Sequence, residues 1–424
     1  MKKRKNMLDV KFIRENPELV KEAARKKGVS VDIDALLAVD ERRRHVLKEL
    51  EEKRARQNAL SKGGPKAPTE LESLKKLKEE IKVLEEEIRR VQGEFDGLML
   101  LMPQVPDLSV PEGRGDADNV EIRKWGELPK FDFKPKDHMT LMAELDLVDT
   151  ERGAKVSGFR GYFLKNEGLL LSFALWNFTL ERLIKKGFAP LLAPAIAKEF
   201  NFTGTGWLPQ GKDEVYKVGE NEYLIGTAEV SVMGYHAEEA LDEKDLPKKY
   251  IAFSPCFRSE AGSYGKDTKG ILRVHEFYKL EQVVLCRNSH EESVKWHEEI
   301  TKNAEEIVQA LKLPYRVVVN CAGDLGLGQV KKYDIETWLP SQERYRETHS
   351  SSYFHDFQTR RLNIKYRDAD GKLQFTHSLN NTALATPRII ANIVENCQTK
   401  KGTVKIPKVL RKYMFGIKEI KPKK

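Results

Sequence analysis

The sequence predicts an α+β protein in two parts: an N-terminal antiparallel helical hairpin, forming a coiled-coil arm, and a larger body on an antiparallel β-sheet. Three observations predict it. Apolar residues at 74, 77, 81, 84, 88, 91, 95 and 98 recur at alternating spacings of three and four, which is a heptad seam. The segment SKGGPKAPT, residues 61–69, places two Gly and two Pro between that seam and a weaker stripe at Leu36, Val39, Val46, Leu50 and Leu60, so the pattern is helix, breaker, helix. Further on, helix and strand signals follow one another outside any βαβ rhythm, and neither GxGxxG nor GxxxxGK[ST] occurs, so a Rossmann or P-loop nucleotide site is unsupported.

In chain order, the arm occupies residues 1–110 and the body residues 111–424. A helix of 28 residues would be ~42 Å long, so the hairpin projects. Around its tip stand Lys53, Arg54, Arg56, Lys62 and Lys66, with no acid between 53 and 66. Such a tip suits phosphate contact, and an oligomerisation coiled coil is equally compatible with the segment. Pro-, Gly- and Asp-rich stretches at 102–107 and 111–118 form the linker. In the body, Leu169–Lys186 and His290–Leu311 read as helices. Val283–Leu285, Tyr315–Asn320 and Leu362–Tyr366 read as strands.

Composition bounds the partners. The chain has 424 residues, 33% of them charged, and a formal net charge of +9. From Gln398 onward ten Lys or Arg stand against one Glu, which equals the whole excess. A solubilising tail and a nucleic-acid contact both fit that balance. Cys256, Cys286, Cys321 and Cys397 lie far apart with no CxxC pair, so neither a structural zinc nor a disulfide framework is expected. The basic start is interrupted by Asp9 and Glu15, and the longest apolar run, 168–180, is too short to span a bilayer. A cytoplasmic protein with no membrane partner is expected.

The chemistry concentrates in FRSEAGSYGKDTKGILRVHEFYKLEQ, residues 257–282. Alternation along a strand points Arg258 and Glu260 the same way, and brings Arg273, His275 and Phe277 of a return strand, 271–277, onto one face. The Gly- and Lys-rich loop 261–270 between them is too long for a tight turn. A guanidinium for phosphate, a carboxylate for an amine and a ring for stacking would share one surface. A solvated hairpin with ordinary cross-strand ion pairs is the alternative for an isolated Arg-x-Glu.

Three stretches together resemble the class II aminoacyl-tRNA synthetases. Gly187–Pro194 (GFAPLLAP) resembles their motif 1, residues 257–282 their motif 2, and Asn380–Arg388 (NNTALATPR) their motif 3. Thr203–Gly206 (TGTG), Thr227-Ala228-Glu229, the motif 2 stretch and residues 347–361 (ETHSSSYFHDFQTRR) are similar to the seryl-tRNA synthetases, as are MLDVKFIRENPE and the hairpin. The resemblance covers nearly the whole chain. It implies a class II catalytic domain on an antiparallel sheet, a tRNA-binding arm, activation of L-serine with ATP, transfer to tRNA(Ser), and a homodimer through motif 1. It leaves open whether tRNA(Sec) is charged as well.

The resemblance also assigns residues. Arg258 and Arg388 would be catalytic. Thr227, Ala228, Glu229, Arg258, Glu281, Asn380 and Thr382 would bind serine. Arg258, Ser259, Glu260, Val274, Phe277, Glu347, Thr348, His349, Ser350 and Arg388 would bind ATP, with Mg²⁺ held on its phosphates by Glu347 and Ser350. Lys53, Arg54, Arg56, Lys62 and Lys66 would meet tRNA. The chain departs from the family pattern in a glycine-poor motif 3 (Asn381, Ala383, Ala385), in Trp207 where Gln is commoner, and in Ser351, Tyr353 and His355. Two rival classes stay open: a ligase charging a carrier protein, expected to lack the arm, and an inactive RNA-binding relative, expected to have lost the arginines or the Thr-x-Glu pair. Both features are present.

Overall fold

A computed structural model of the chain describes residues 9–62, 67–261 and 270–423. Lys66 of the hairpin tip and most of the loop 261–270 lie outside the described residues. The chain divides into two compact units at Val105/Pro106.

The N-terminal unit is helical. Asp9 caps Val10–Glu15, Pro17 opens Pro17–Lys26 at a position where its missing N–H costs nothing, and Asp32 caps Ile33–Ser61 by accepting from the Ala35 N–H at 2.8 Å. Pro68–Leu100 runs back antiparallel to Ile33–Ser61. Val46, Leu50, Leu77, Ile81 and Leu84 bury the seam along the rod. At its base, Phe95 and Met99 join Ile13, Val20 and Leu36 in a second cluster. The expected seam ends differently there: Met99 is buried and Leu98 only half-buried. A straight helix drifts off a strict seven-residue repeat, and several helices, not one, meet it at the base.

The tip cations are partly spent within the hairpin. Lys53 Nζ lies 2.8 Å from Glu80 and Arg54 Nη2 2.6 Å from Glu85, while Arg56 and Lys62 stand exposed. Nearer the base, Asp40 is fully buried and receives Arg43 at 2.8 Å, Arg44 at 3.1 Å and Arg14 of the first helix at 3.5 Å. Asp40→Asn removes the charge these cations share and is expected to cost about 2 kcal/mol. A lowered urea midpoint would report it; an unchanged midpoint would contradict it.

The body is built on an eight-stranded sheet. Its order is Val120–Trp125, Tyr315–Val319, Lys331–Leu339, Arg344–Tyr353, His377–Thr386, Glu276–Cys286, Lys248–Phe257 and Ala189–Leu192. All neighbours are antiparallel except the last pair, where Ala189–Leu192 runs parallel to Lys248–Phe257. The helix His290–Ala310 packs Ile300, Ala304, Ile307 and Val308 against the sheet. Asn166–Lys185 leads to Gly187, whose φ of +80° turns the chain into the edge strand. Among the described residues no helix is long and apolar enough to cross a membrane.

Two expected strands differ. Leu362 ends the helix Phe357–Leu362, Asn363 caps it at φ +55°, and only Lys365–Arg367 is extended. Asn tolerates that left-handed conformation, so the apolar run splits between helix and strand. The return strand of motif 2 begins at Glu276, not Ile271. The ladder closes at Phe257 opposite Glu276. Beyond it Glu260 has φ +57°, and Ile271, Leu272 and Val274 are buried. The segment 271–275 therefore follows the core and not the sheet.

Candidate active site

The face of the Glu276–Cys286 strand builds the cleft. Alternation puts Phe277, Lys279 and Glu281 on one side. Lys279 and Glu281 are almost wholly buried, and their charged ends meet at 2.7 Å. Thr382 lies opposite Glu281 in register, and its hydroxyl donates to Glu281 Oε2 at 3.4 Å. Thr227 caps the helix Ala228–Tyr235, accepting from the Glu229 N–H at 3.3 Å. Glu229 thereby starts a helix from within the core, beside the buried Ala228. Its carboxylate accepts from Gln358 Nε2 at 2.6 Å, and the nearby Asn380 side chain also favours its charged form.

Burial pushes the Glu229 carboxyl up to about 7; Gln358 opposes the shift and the Glu281 charge adds to it. The folded state holds this proton more tightly than the unfolded chain, whose carboxyl titrates near 4.5. Stability linked to Glu229 therefore falls as pH rises from about 4.5 to about 7, then levels.

Arg258 is held on several sides. Nη2 and Nε donate to the Gly226 carbonyl at 3.3 and 3.4 Å, and its guanidinium lies 5.5 Å from the Trp207 ring and 5.4 Å from the Phe277 ring. Gly226 permits this approach, since a Cβ there would stand 3.1 Å from Trp207 and 3.4 Å from Arg258. Arg388 opens the helix Arg388–Asn396 and reaches back into the cleft, donating to the carbonyls of Leu272 at 3.0 Å and Glu347 at 2.7 Å. Packing into the cleft wall would raise the Glu347 carboxyl, yet Arg388, Lys332 and Arg258 hold it below the usual range. Glu260 pairs with Arg273.

Arg258, Glu260, Val274, Phe277, Glu347, Thr348, Ser350, Thr382 and Arg388 therefore line one cleft, with Arg273 and Lys279. Thr227, Glu229, Glu281 and Asn380 form the buried polar group beside it. Three expected members turn away. The Ser259 hydroxyl donates to the Asp213 carbonyl. His275 sets Nδ1 3.0 Å from the Arg258 carbonyl. His349 sets Nδ1 2.8 Å from the Thr348 hydroxyl, and burial lowers it to about 4. A register shift in the Arg344–Tyr353 strand lets Glu347, Thr348 and Ser350 face the cleft while His349 faces the core.

Sequence reasoning missed Lys279 and Gln358 as site residues, and it set Arg273 on the motif 2 face without a role there. Lys279 had a signal, since it alternates with Phe277 and Glu281. Gln358 stood inside the 347–361 run that resembles the family, but its contact with Glu229, across 129 positions, left no local signal.

The cleft fits a nucleotide with its metal. Two arginines suit phosphate oxygens, and the carboxylate of Glu347 with the hydroxyl of Ser350 supply hard oxygen donors. Two such donors cannot cage a cation alone, which is the arrangement of a Mg²⁺ carried mainly by phosphates. Among the described residues the four cysteines are unpaired, and no three His, Cys, Asp or Glu side chains converge as metal ligands.

Comparison with known proteins agrees at both ends of the chain. Residues 7–106 match the model of the seryl-tRNA synthetase N-terminal domain, and residues 214–397 match the class II tRNA synthetase core domain for G, H, P, S and T. The serine–tRNA ligase of Deinococcus radiodurans is 45% identical over 97% of this chain and 98% of its own length; that of Pyrococcus abyssi is 46% identical over 98% of each. The crystal structure of seryl-tRNA synthetase from Pyrococcus horikoshii complexed with ATP superposes with a TM-score of 0.92, at 43% identity over 99% of this chain and all of that one. The cytoplasmic enzyme of Naegleria fowleri in complex with AMP gives 0.88 at 35% identity, over the same shares. An arm, a class II cleft and full-length relatives coincide in one sequence, and the chain belongs to the seryl-tRNA synthetase family.

Proposed function

We propose that the chain is a serine–tRNA ligase that activates L-serine with ATP and transfers it to tRNA(Ser). One observation carries the substrate assignment: the buried pair Lys279–Glu281, with Glu229 and Thr382 beside it, sits where Arg258 can reach an anionic reacting group. A carboxylate of Glu229 or Glu281 pairs with the serine ammonium, and the other polar groups meet its hydroxyl. A pocket built to pair with a hydroxyl rejects alanine and glycine, because they would leave buried polar atoms without partners.

In the first step a serine carboxylate oxygen bonds to the α-phosphorus, the bond to the bridging oxygen breaks, and pyrophosphate leaves. Arg258 holds the serine carboxylate and the α-phosphate together, and its two-ring clamp fixes the guanidinium beforehand. Phe277 supports the adenine ring, Glu260 accepts from its amino group once Arg273 yields, and Arg388 holds the γ-phosphate. Bound Mg²⁺ would neutralise phosphate charge beside Glu347 and Ser350. In the second step a hydroxyl of the terminal tRNA ribose bonds to the seryl carbonyl carbon, and AMP leaves. No side chain acts as nucleophile, so positioning and electrostatics carry the rate.

The arm, with its exposed Arg56 and Lys62, meets the tRNA backbone, and Lys53 and Arg54 join it by exchanging carboxylate for phosphate. The chain acts as a homodimer in the cytoplasm. The Ala189–Leu192 edge strand, with Leu192 79% exposed, and the exposed Leu169 and Phe173 of the adjacent helix form an apolar face of the kind a second copy covers. Serine-dependent ATP–pyrophosphate exchange tests the reading. Serine should support it, and alanine and glycine should fall below it by at least ~10³-fold in kcat/KM. Equal exchange with all three would overturn the assignment.

Glu229 adds a pH dependence. Its carboxylate form pairs with the ammonium, so kcat/KM for serine should rise with pH through about 7, and Glu229→Gln should flatten the profile while lowering it. An identical profile in the variant would remove Glu229 from the serine site.

A further inference from the structure

The C-terminal segment, where the formal charge excess lies, is folded onto the body. Val404–Lys405 pairs with Glu419–Ile420, and the turn Lys408–Met414 packs along Asn166–Lys185. Between turn and helix runs a groove of about 530 Å³. Arg182, Lys185, Lys186, Lys408 and Lys412 line it, against one lining acid, Glu181. Glu181 takes Lys185 and Lys412 at 2.6 Å each, and Glu306 takes Lys186 at 2.6 Å and Arg182 at 3.9 Å. Two carboxylates thus organise four of the five cations without neutralising them. The lysine side chains stay open to solvent, 70% for Lys185 and 60% for Lys412.

The groove's position keeps it accessible. At about 100° per residue, Phe178, Arg182 and Lys185 lie on the opposite face of their helix from Leu169, Phe173 and Trp176, which line the apolar face. A second copy covering the apolar side leaves the basic side free.

We propose that this groove is a second tRNA contact, binding backbone phosphates on the body independently of the helical arm. The inference rests on the tRNA-ligase reading. Its chemistry fits a polyanion. Two facing rows of cations track a charged backbone, the Arg182 guanidinium lies 5.4 Å from the Phe178 ring and the Lys412 ammonium 4.5 Å from the Tyr413 ring, and binding gains from counterion release. Contacts of this kind place an RNA without reading its bases.

The test uses the full chain with Lys185→Gln, Lys408→Gln and Lys412→Gln combined, and separately Lys408→Glu, whose residue makes no ion pair among the described residues. None lines the catalytic cleft, so serine-dependent pyrophosphate exchange should stay within about twofold of wild type and certify the fold. The dissociation constant for unmodified tRNA(Ser) transcript, measured by filter binding, should rise about tenfold in the triple variant and about threefold in Lys408→Glu. The slope of log K against log salt should shrink by about two to three. A triple variant with the wild-type constant and slope overturns the groove while leaving the ligase reading intact, provided the wild-type chain charges that tRNA. A wild-type chain that neither binds nor charges tRNA overturns both.

Discussion

Arg258→Ala is expected to lower serine-dependent ATP–pyrophosphate exchange by about a thousandfold while the protein stays folded. Loss of one preorganised donor at the site where charge builds removes about 3–4 kcal/mol of transition-state stabilisation. Arg258 makes that contribution large because it is already in place. The Gly226 carbonyl and the rings of Trp207 and Phe277 fix the guanidinium, so little ordering remains when substrate arrives. The fold should survive, because Arg258 lies beyond the end of its strand and is only half-buried. Exchange assays paired with thermal melts check it. Near-normal exchange in a well-folded variant would move the phosphate contact elsewhere.

The second large effect concerns the arm. Lys53 and Glu80 face each other across the hairpin at 2.8 Å, which marks where the two helices can be joined without disturbing what lies below. Removing residues 54–79 and closing with a short Gly-rich turn deletes the tip with Arg54, Arg56, Lys62 and Lys66. It keeps Asp40 and its arginines, the Phe95–Met99 base cluster, and Val46, Leu50, Ile81 and Leu84 of the seam. Pyrophosphate exchange should persist within about twofold, since every residue of the cleft is in the other unit. The kcat/KM for tRNA should fall by about two orders of magnitude, chiefly through weaker binding. Wild-type charging by the shortened chain would mean that the hairpin tip does not contact tRNA.

How much of this was legible in the sequence depended on the range of the signal. The hairpin was readable because a 3-4 apolar spacing survives over 25 residues, and it failed only at Met99, where the helix leaves its single partner. The tip read as unopposed positive charge because counting stops at sequence neighbours. The balancing Glu80 and Glu85 come from the facing helix. Within motif 2, the alternation of Arg273, His275 and Phe277 suggested a strand through 271–277, but burial of Ile271, Leu272 and Val274 bends that segment into the core. Trp207 stood out only as an unusual residue, and its packing against Arg258 depends on the close approach of Gly226. Lys279 was the readable omission. A lysine inside an apolar strand suggests an exposed edge, yet the alternation that selects Phe277 and Glu281 selects it as well.

The most direct measurement is aminoacylation itself: wild-type chain, ATP, Mg²⁺, labelled L-serine and a tRNA(Ser) transcript, followed as acid-precipitable counts. The account predicts ATP-dependent attachment of serine to the 3′-terminal ribose through an alkali-labile ester. Serine-dependent pyrophosphate exchange with no label on tRNA would contradict it.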